Sequence, residues 1–258
     1  MTDNQAFRAL FTLPPLAHSL PLAEQELPPV QNVTGDTEVD AVLWLHKVIE
    51  TGSRDLIERA KQAAKRITTP MKELERRHND LQRLRGLRGG TMHFYYGLGE
   101  FDRAAERAIE QADRRREALA RFGTAEALFA DQPAEAACKQ ALRGLKAPKD
   151  ELESYDEVRA DGRFVKRLDL TPHTLEDCLH ARAYWKQLYW LRHAMEKWSG
   201  DGRHAAHEHD WFCLRSMGRL KPRSKEEALA VLEYAYGGDL NHDDQEPIMR
   251  NLVAGGWQ

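Results

Sequence analysis

The chain has 258 residues, and its 38 Lys and Arg against 41 Asp and Glu leave a formal net charge of −3, with 41% hydrophobic and 31% charged residues. That balance favours helices with wide solvated faces over a thick apolar core. Three scattered cysteines argue against a disulfide framework, and with no apolar run near the ~20 residues a membrane helix needs and no signal-peptide pattern, a cytoplasmic protein with no membrane partner is expected.

Residues 1–36 read as an extended arm. Pro14, Pro15, Pro21, Pro28 and Pro29 deny it a long helix, because proline lacks an amide donor and clashes with the preceding turn. Its apolar residues Phe7, Phe11, Leu13, Leu16 and Leu20 suit a segment that lies in a groove, either on a partner or on the protein's own helices.

Residues 37–147 are expected to form a helical hairpin domain. A first helix runs from Thr37 to Glu50, with Thr37 as its cap, Asp40 in the reciprocal position of a capping box, and Gly52 as its stop. His46 sits on its apolar stripe and reads as a core histidine. From Ser53 onward Ile57, Ala60, Ala64, Ile67, Met71, Leu74, His78 and Leu81 keep a three-four alternation. Pro70 marks either a kink in this stretch or a stop followed by a new helix. Phe101, Ala105, Ala108, Ala112, Leu119 and Phe122 continue the alternation after a Gly- and aromatic-rich loop at residues 86–99. The two stretches predict an antiparallel, coiled-coil-like hairpin, with the loop as its hinge. Gly99-Glu-Phe101-Asp-Arg-Ala104 resembles half of a tetratricopeptide repeat, but Gln111 departs from that pattern and no second copy follows, so no repeat array is implied.

Short helices at 124–130 and 133–145 lead to a boundary near Pro148, and residues 148–258 are expected as a C-terminal aromatic bundle. Phe164 to Leu170 reads as a connector. Thr171 or Thr174 caps a helix reaching Ser199, whose stripe holds Cys178, Ala181, Trp185, Leu188, Leu191, Met195 and Trp198. Further helices are expected from His204 to Gly218, from a Ser224/Glu227 capping box to Gly237, and from Pro247 to Val253. Asp210-Trp211-Phe212, Pro222 and the Ser224-capped helix together resemble the ends of short helical proteins of bacterial mobile elements, a likeness that implies no activity.

Chemistry is sparsely signalled. His204, His207 and His209 with Cys213 are metal-ligand types, but their spacing matches no helical zinc motif, so no metal or cofactor is expected. His173 and Asp177, one turn apart, are a base–orienter pair in form and a capped first turn in the plainer reading. Charge is segregated: Arg59, Lys61, Lys65, Arg66, Arg76, Arg77, Arg83, Arg85 and Arg88 fall in one basic stretch, the candidate contact for nucleic acid. The sequence therefore points to an all-α, non-enzymatic interaction protein, a subunit or adaptor of a larger assembly. Nucleic-acid binding through the basic stretch is the alternative, and a histidine-centred metal enzyme comes third.

Overall fold

The computed structural model describes residues 2–18, 26–84, 101–146, 154–195, 203–237 and 240–254, and every regular element among them is helical. The glycine-rich loop, Leu20, Arg85, Arg88 and Trp198 lie outside these residues. The chain divides into two units: one joins Met1–Ala17 to Arg121–Gln258, and His18–Ala120 is inserted between those pieces. The divisions thus fall at 17/18 and 120/121, not at 36/37 and 147/148.

In the inserted unit, helix α2 (Thr37–Glu50) is capped by Asp36, whose carboxylate accepts the Glu38 and Val39 amides at 3.1 and 3.2 Å. Thr37 is the first helical residue, not the cap. Asp40 turns back to accept from the Thr34 amide (2.7 Å), the Thr34 hydroxyl (2.8 Å) and the Gly35 amide (3.1 Å). Burial opposes its charge, but these donors outweigh it and hold the carboxyl below its ordinary range.

Gly52, at φ +69°, turns the chain from α2 into α3 (Arg54–Ala64). That left-handed conformation suits a residue without a Cβ. Leu56, Ile57 and Ala60 then pack on Leu45, Val48 and Ile49 of α2, and Phe101, Ala105 and Ile109 of α5 (Phe101–Phe122) join the cluster. Pro70 is a stop: α3 ends at Ala64, and α4 (Met71–Leu84) starts just after the proline, whose carbonyl accepts from the Glu73 and Leu74 amides. Leu74 packs on Val39 and Val42. The stretch expected as one arm of a hairpin is therefore two helices that share α2 as their partner. The His18 amide donates to the Ala120 carbonyl at 2.9 Å, so the two ends of the inserted unit lie side by side.

The other unit contains α1 (Gln5–Leu10), α6 (Ala125–Phe129), α7 (Pro133–Ala141), α8 (Glu157–Phe164), a 3-10 turn (Leu168–Leu170), α9 (Leu175–His193), α10 (His204–Met217), α11 (Lys225–Gly237) and α12 (His242–Ala254). Helix α9 packs along α10. Thr174 caps α9, and Cys178, Ala181, Tyr184, Trp185, Leu188 and Leu191 are all buried. Helix α1 falls where an extended arm was expected, and α8 in a stretch for which no helix was expected; the connector expected from Phe164 to Leu170 holds the last residue of α8 and the 3-10 turn. Asn4 opens α1 by accepting the Phe7 amide (3.1 Å), and Asp156 opens α8 by accepting the Arg159 amide (3.0 Å). Each is too short to carry a periodic signal of its own. Helix α12 begins at His242 with Asn241 as its cap, so Pro247 sits inside it and does not start it.

Candidate functional site

The structure sorts the residues of the basic stretch, the candidate contact for nucleic acid, into two groups. Arg76 and Arg77 on α4 are neutralised locally. Both reach Glu73, Arg76 also pairs with Asp80, and Arg77 with Asp36 and Glu38. The Arg76 hydrogen bond, reinforced by Arg77, pulls the Glu73 carboxyl down to about 2. Lys61 is bound to Asp102 at 2.5 Å, and Arg83 stands 3.9 Å from Asp80.

Arg59, Lys65 and Arg66 differ. All three are exposed, and none forms an ion pair with the described residues. Arg59 is exposed on α3, one turn after the buried Leu56. Lys65 and Arg66 follow the last turn, where the Arg66 amide still bonds the Ala63 carbonyl at 3.0 Å. Cations here are favoured by the negative end of the helix dipole, so folding itself supplies part of the reason for their position.

The histidines do not converge. His204 and His207 face outward from α10, and the Trp211 indole N–H donates to His207 Nε2 at 3.0 Å. His209 is 0% exposed. Its Nε2–H donates to the Leu170 carbonyl (2.9 Å), while Nδ1 accepts from the Trp185 indole (3.4 Å). Phe11 stacks on its ring at 4.6 Å and 14°, and Phe164 meets it edge-on at 5.0 Å. Burial lowers its pKa to about 4, against the opposing pull of the Leu170 carbonyl, so the ring is neutral at physiological pH. With both nitrogens engaged, it has no lone pair to give a metal. Among the described residues, no group of three or more His, Cys, Asp or Glu is arranged to hold an ion. Cys213 approaches His209 Nδ1 at 3.7 Å, but burial pushes its thiol well up, which makes it a poor nucleophile.

His173 and Asp177 also take the plainer role. Asp177 accepts the backbone amide of His173 (3.0 Å), not its imidazole. Its remaining donors come from the other end of the sequence: the Asn4 amide at 3.0 Å and Arg8 Nε at 2.7 Å. Burial would raise the Asp177 carboxyl, yet Arg8 and the two amides outweigh it and hold it below the ordinary range.

The same clasp decides the fate of the arm. Phe7 is 0% exposed and Phe11 1% exposed, and Leu13 is also buried. The rings that surround Phe7 and Phe11 belong to their own unit, so in this conformation these two offer no surface to a partner. The reason is energetic: two phenylalanines bring large apolar area to an interior already rich in rings. Leu16 is different, at 65% exposed.

A second polar cluster went unforeseen. Arg192 of α9 grips Glu135 of α7 through both oxygens (2.7 and 2.9 Å), and Arg203 adds a further contact at 2.7 Å. Arg192 also donates to the Leu128 carbonyl at 3.1 Å. The capping box of Gln132 and Glu135 was a visible signal; the distant arginine was not. Among the described residues, no helix is long and apolar enough to cross a membrane. No protein-family model, curated protein or solved structure matches the chain.

Proposed function

We propose that this chain is a non-enzymatic helical adaptor that docks on an acidic patch of a protein partner through Arg59, Lys65 and Arg66. The observation that supports this is the contrast within one basic stretch: Arg76, Arg77 and Lys61 are neutralised by neighbours, whereas these three exposed cations have no ion pair among the described residues. Exposed cations raise the encounter rate with an acidic surface and set its orientation.

Nucleic acid is the second reading, and magnitude ranks it lower. Each neutralised phosphate of duplex DNA contributes a slope of about −0.9 to the salt dependence of binding, so three cations give about −3 at most, where committed binders make on the order of 6–10 contacts.

The test is a charge reversal, Arg59→Glu, Lys65→Glu and Arg66→Glu together, compared with the unaltered protein by affinity capture from the native host. The expected result is loss of one or more co-purifying proteins with an unchanged melting temperature. Capture of the same proteins by both forms removes the reading. A duplex titration with a slope well steeper than −3 moves the assignment to nucleic acid.

A further inference from the structure

Residues 3–14 are held by the rest of their unit in the way a groove holds a peptide. Phe7 on α1 and Phe11 at its C-cap, one turn apart, meet at a tilt with ring centroids 4.6 Å apart and enter a box of rings in which Phe11 meets Tyr184, Trp185 and His209 at 5.7, 5.5 and 4.6 Å. The rim is polar. Asn4 Nδ2 donates to the Leu168 and Thr171 carbonyls at 2.6 and 2.9 Å, and its amide and Arg8 Nε reach Asp177. In return the Arg8 carbonyl accepts from His180 Nε2 at 3.1 Å.

Helix α1 has six residues, too few to be stable alone, so its structure depends on docking. The chain then leaves this unit after Ala17 and rejoins it only at Arg121. The groove is thus lined by residues of the piece that follows the inserted unit, among them Asp177, His180, Trp185 and His209, and filled by a segment of the piece that precedes it.

We propose that this groove is a peptide-binding site, occupied in cis by residues 3–14, that also accepts from another protein a short helix of the pattern Asn-x-x-Phe-Arg-x-x-Phe. Each element of the pattern answers a feature of the groove. The phenylalanine pair fills the ring box, and the arginine meets the buried carboxylate of Asp177. The asparagine caps the helix and takes the Leu168 and Thr171 carbonyls. The protein's own segment is then a built-in competitor. A tethered ligand has an effective concentration on the order of millimolar, so the intact chain binds a free peptide weakly until its own segment is released. This inference rests on the groove alone, and is independent of the cationic face of the inserted unit.

The test uses the full chain with a protease site placed between Ala17 and His18 and cut after folding. A fluorescein-labelled peptide of residues 2–17 is followed by anisotropy. The cut protein is expected to exchange its own segment for the labelled one. Unlabelled 2–17 should compete, and the same peptide carrying Phe7→Ala and Phe11→Ala should not. Uncut protein with Arg8→Ala, which weakens only the tethered segment, should bind the labelled peptide at least about tenfold more tightly than the uncut parent. Failure to exchange, loss of the helical signal on cutting, or equal binding by the Arg8→Ala form and its parent each overturns the proposal.

Discussion

Replacing Asp177 with Asn tests the account of how the N-terminal segment is held. The substitution keeps the shape and removes the charge. Oδ2 of Asp177 accepts two backbone amides, from Asn4 and His173, both at 3.0 Å, while Oδ1 faces Arg8 Nε at 2.7 Å. An asparagine must turn its NH2 group towards one side or the other. Either way a donor meets donors: two amides in one orientation, a guanidinium in the other. Hydrogen bonds to a charged group contribute about 1.5–3 kcal/mol each, and breaking a buried pair by removing one member costs about 3–5 kcal/mol. We expect a loss of about 3–5 kcal/mol at neutral pH, read by urea unfolding followed through tryptophan fluorescence.

The pH dependence carries the sharper test. The folded carboxyl lies below its ordinary value of 3.8, so its contribution is complete above that value. It is lost as pH falls through the lower, folded value. The gap between the unaltered protein and Asp177→Asn should therefore be constant from pH 7 down to about pH 5 and close in stronger acid. Other depressed carboxyls, such as Asp40 and Glu135, are common to both proteins and cancel in the difference. A gap under about 1 kcal/mol at pH 7, or one that persists undiminished in strong acid, refutes the reasoning.

Three further outcomes are expected. Arg192→Met leaves Glu135 without its bidentate partner and should cost about 3–5 kcal/mol in chemical unfolding; adding Glu135→Leu should recover part of that loss, since a buried pair replaced by apolar groups is often neutral. His209 is neutral when folded, with a pKa of about 4 against 6.5, so the unfolded chain takes up the proton first and stability should decline by about 3 kcal/mol between pH 6.5 and pH 4. In His209→Phe that slope should vanish while the orphaned Leu170 carbonyl costs about 1–3 kcal/mol at pH 7; an unchanged slope in equilibrium unfolding would contradict the assignment. Gly52→Ala combines a φ of +69° with a Cβ only 2.4 Å from that of Ala112, and should lower stability by at least about 2 kcal/mol in a thermal or urea melt.

Much of the helical layout was legible in the chain because helix ends and faces are local. Thr174, Ser224 and Gly52 are signals read within a few residues of the elements they bound. The stripe through Cys178, Ala181, Trp185, Leu188 and Leu191 is buried as its spacing required. Locality also explains the near misses. The cap is Asp36, one residue before the Thr37 that was read as the cap, and Asp40 was drawn to Thr34 and Gly35 by a turn that folds back. The heptad spacing from Ile57 to Leu81 survived the break at Pro70 because both helices face the same α2.

What the sequence by itself determined is the set of amphipathic helices, their class and most of their limits, since propensity, capping and periodicity act over a turn or two. Only the tertiary structure decided which pieces belong together. Asn4 and Asp177 are 173 residues apart, and the inserted unit separates the arm from its groove. Nothing in local spacing encodes such a meeting, because a polar side chain's choice of partner depends on which backbone groups the fold brings within hydrogen-bonding reach and strips of water. The same desolvation made His209 a packed ring, turned Phe7 and Phe11 inward, and left Arg59, Lys65 and Arg66 in solvent.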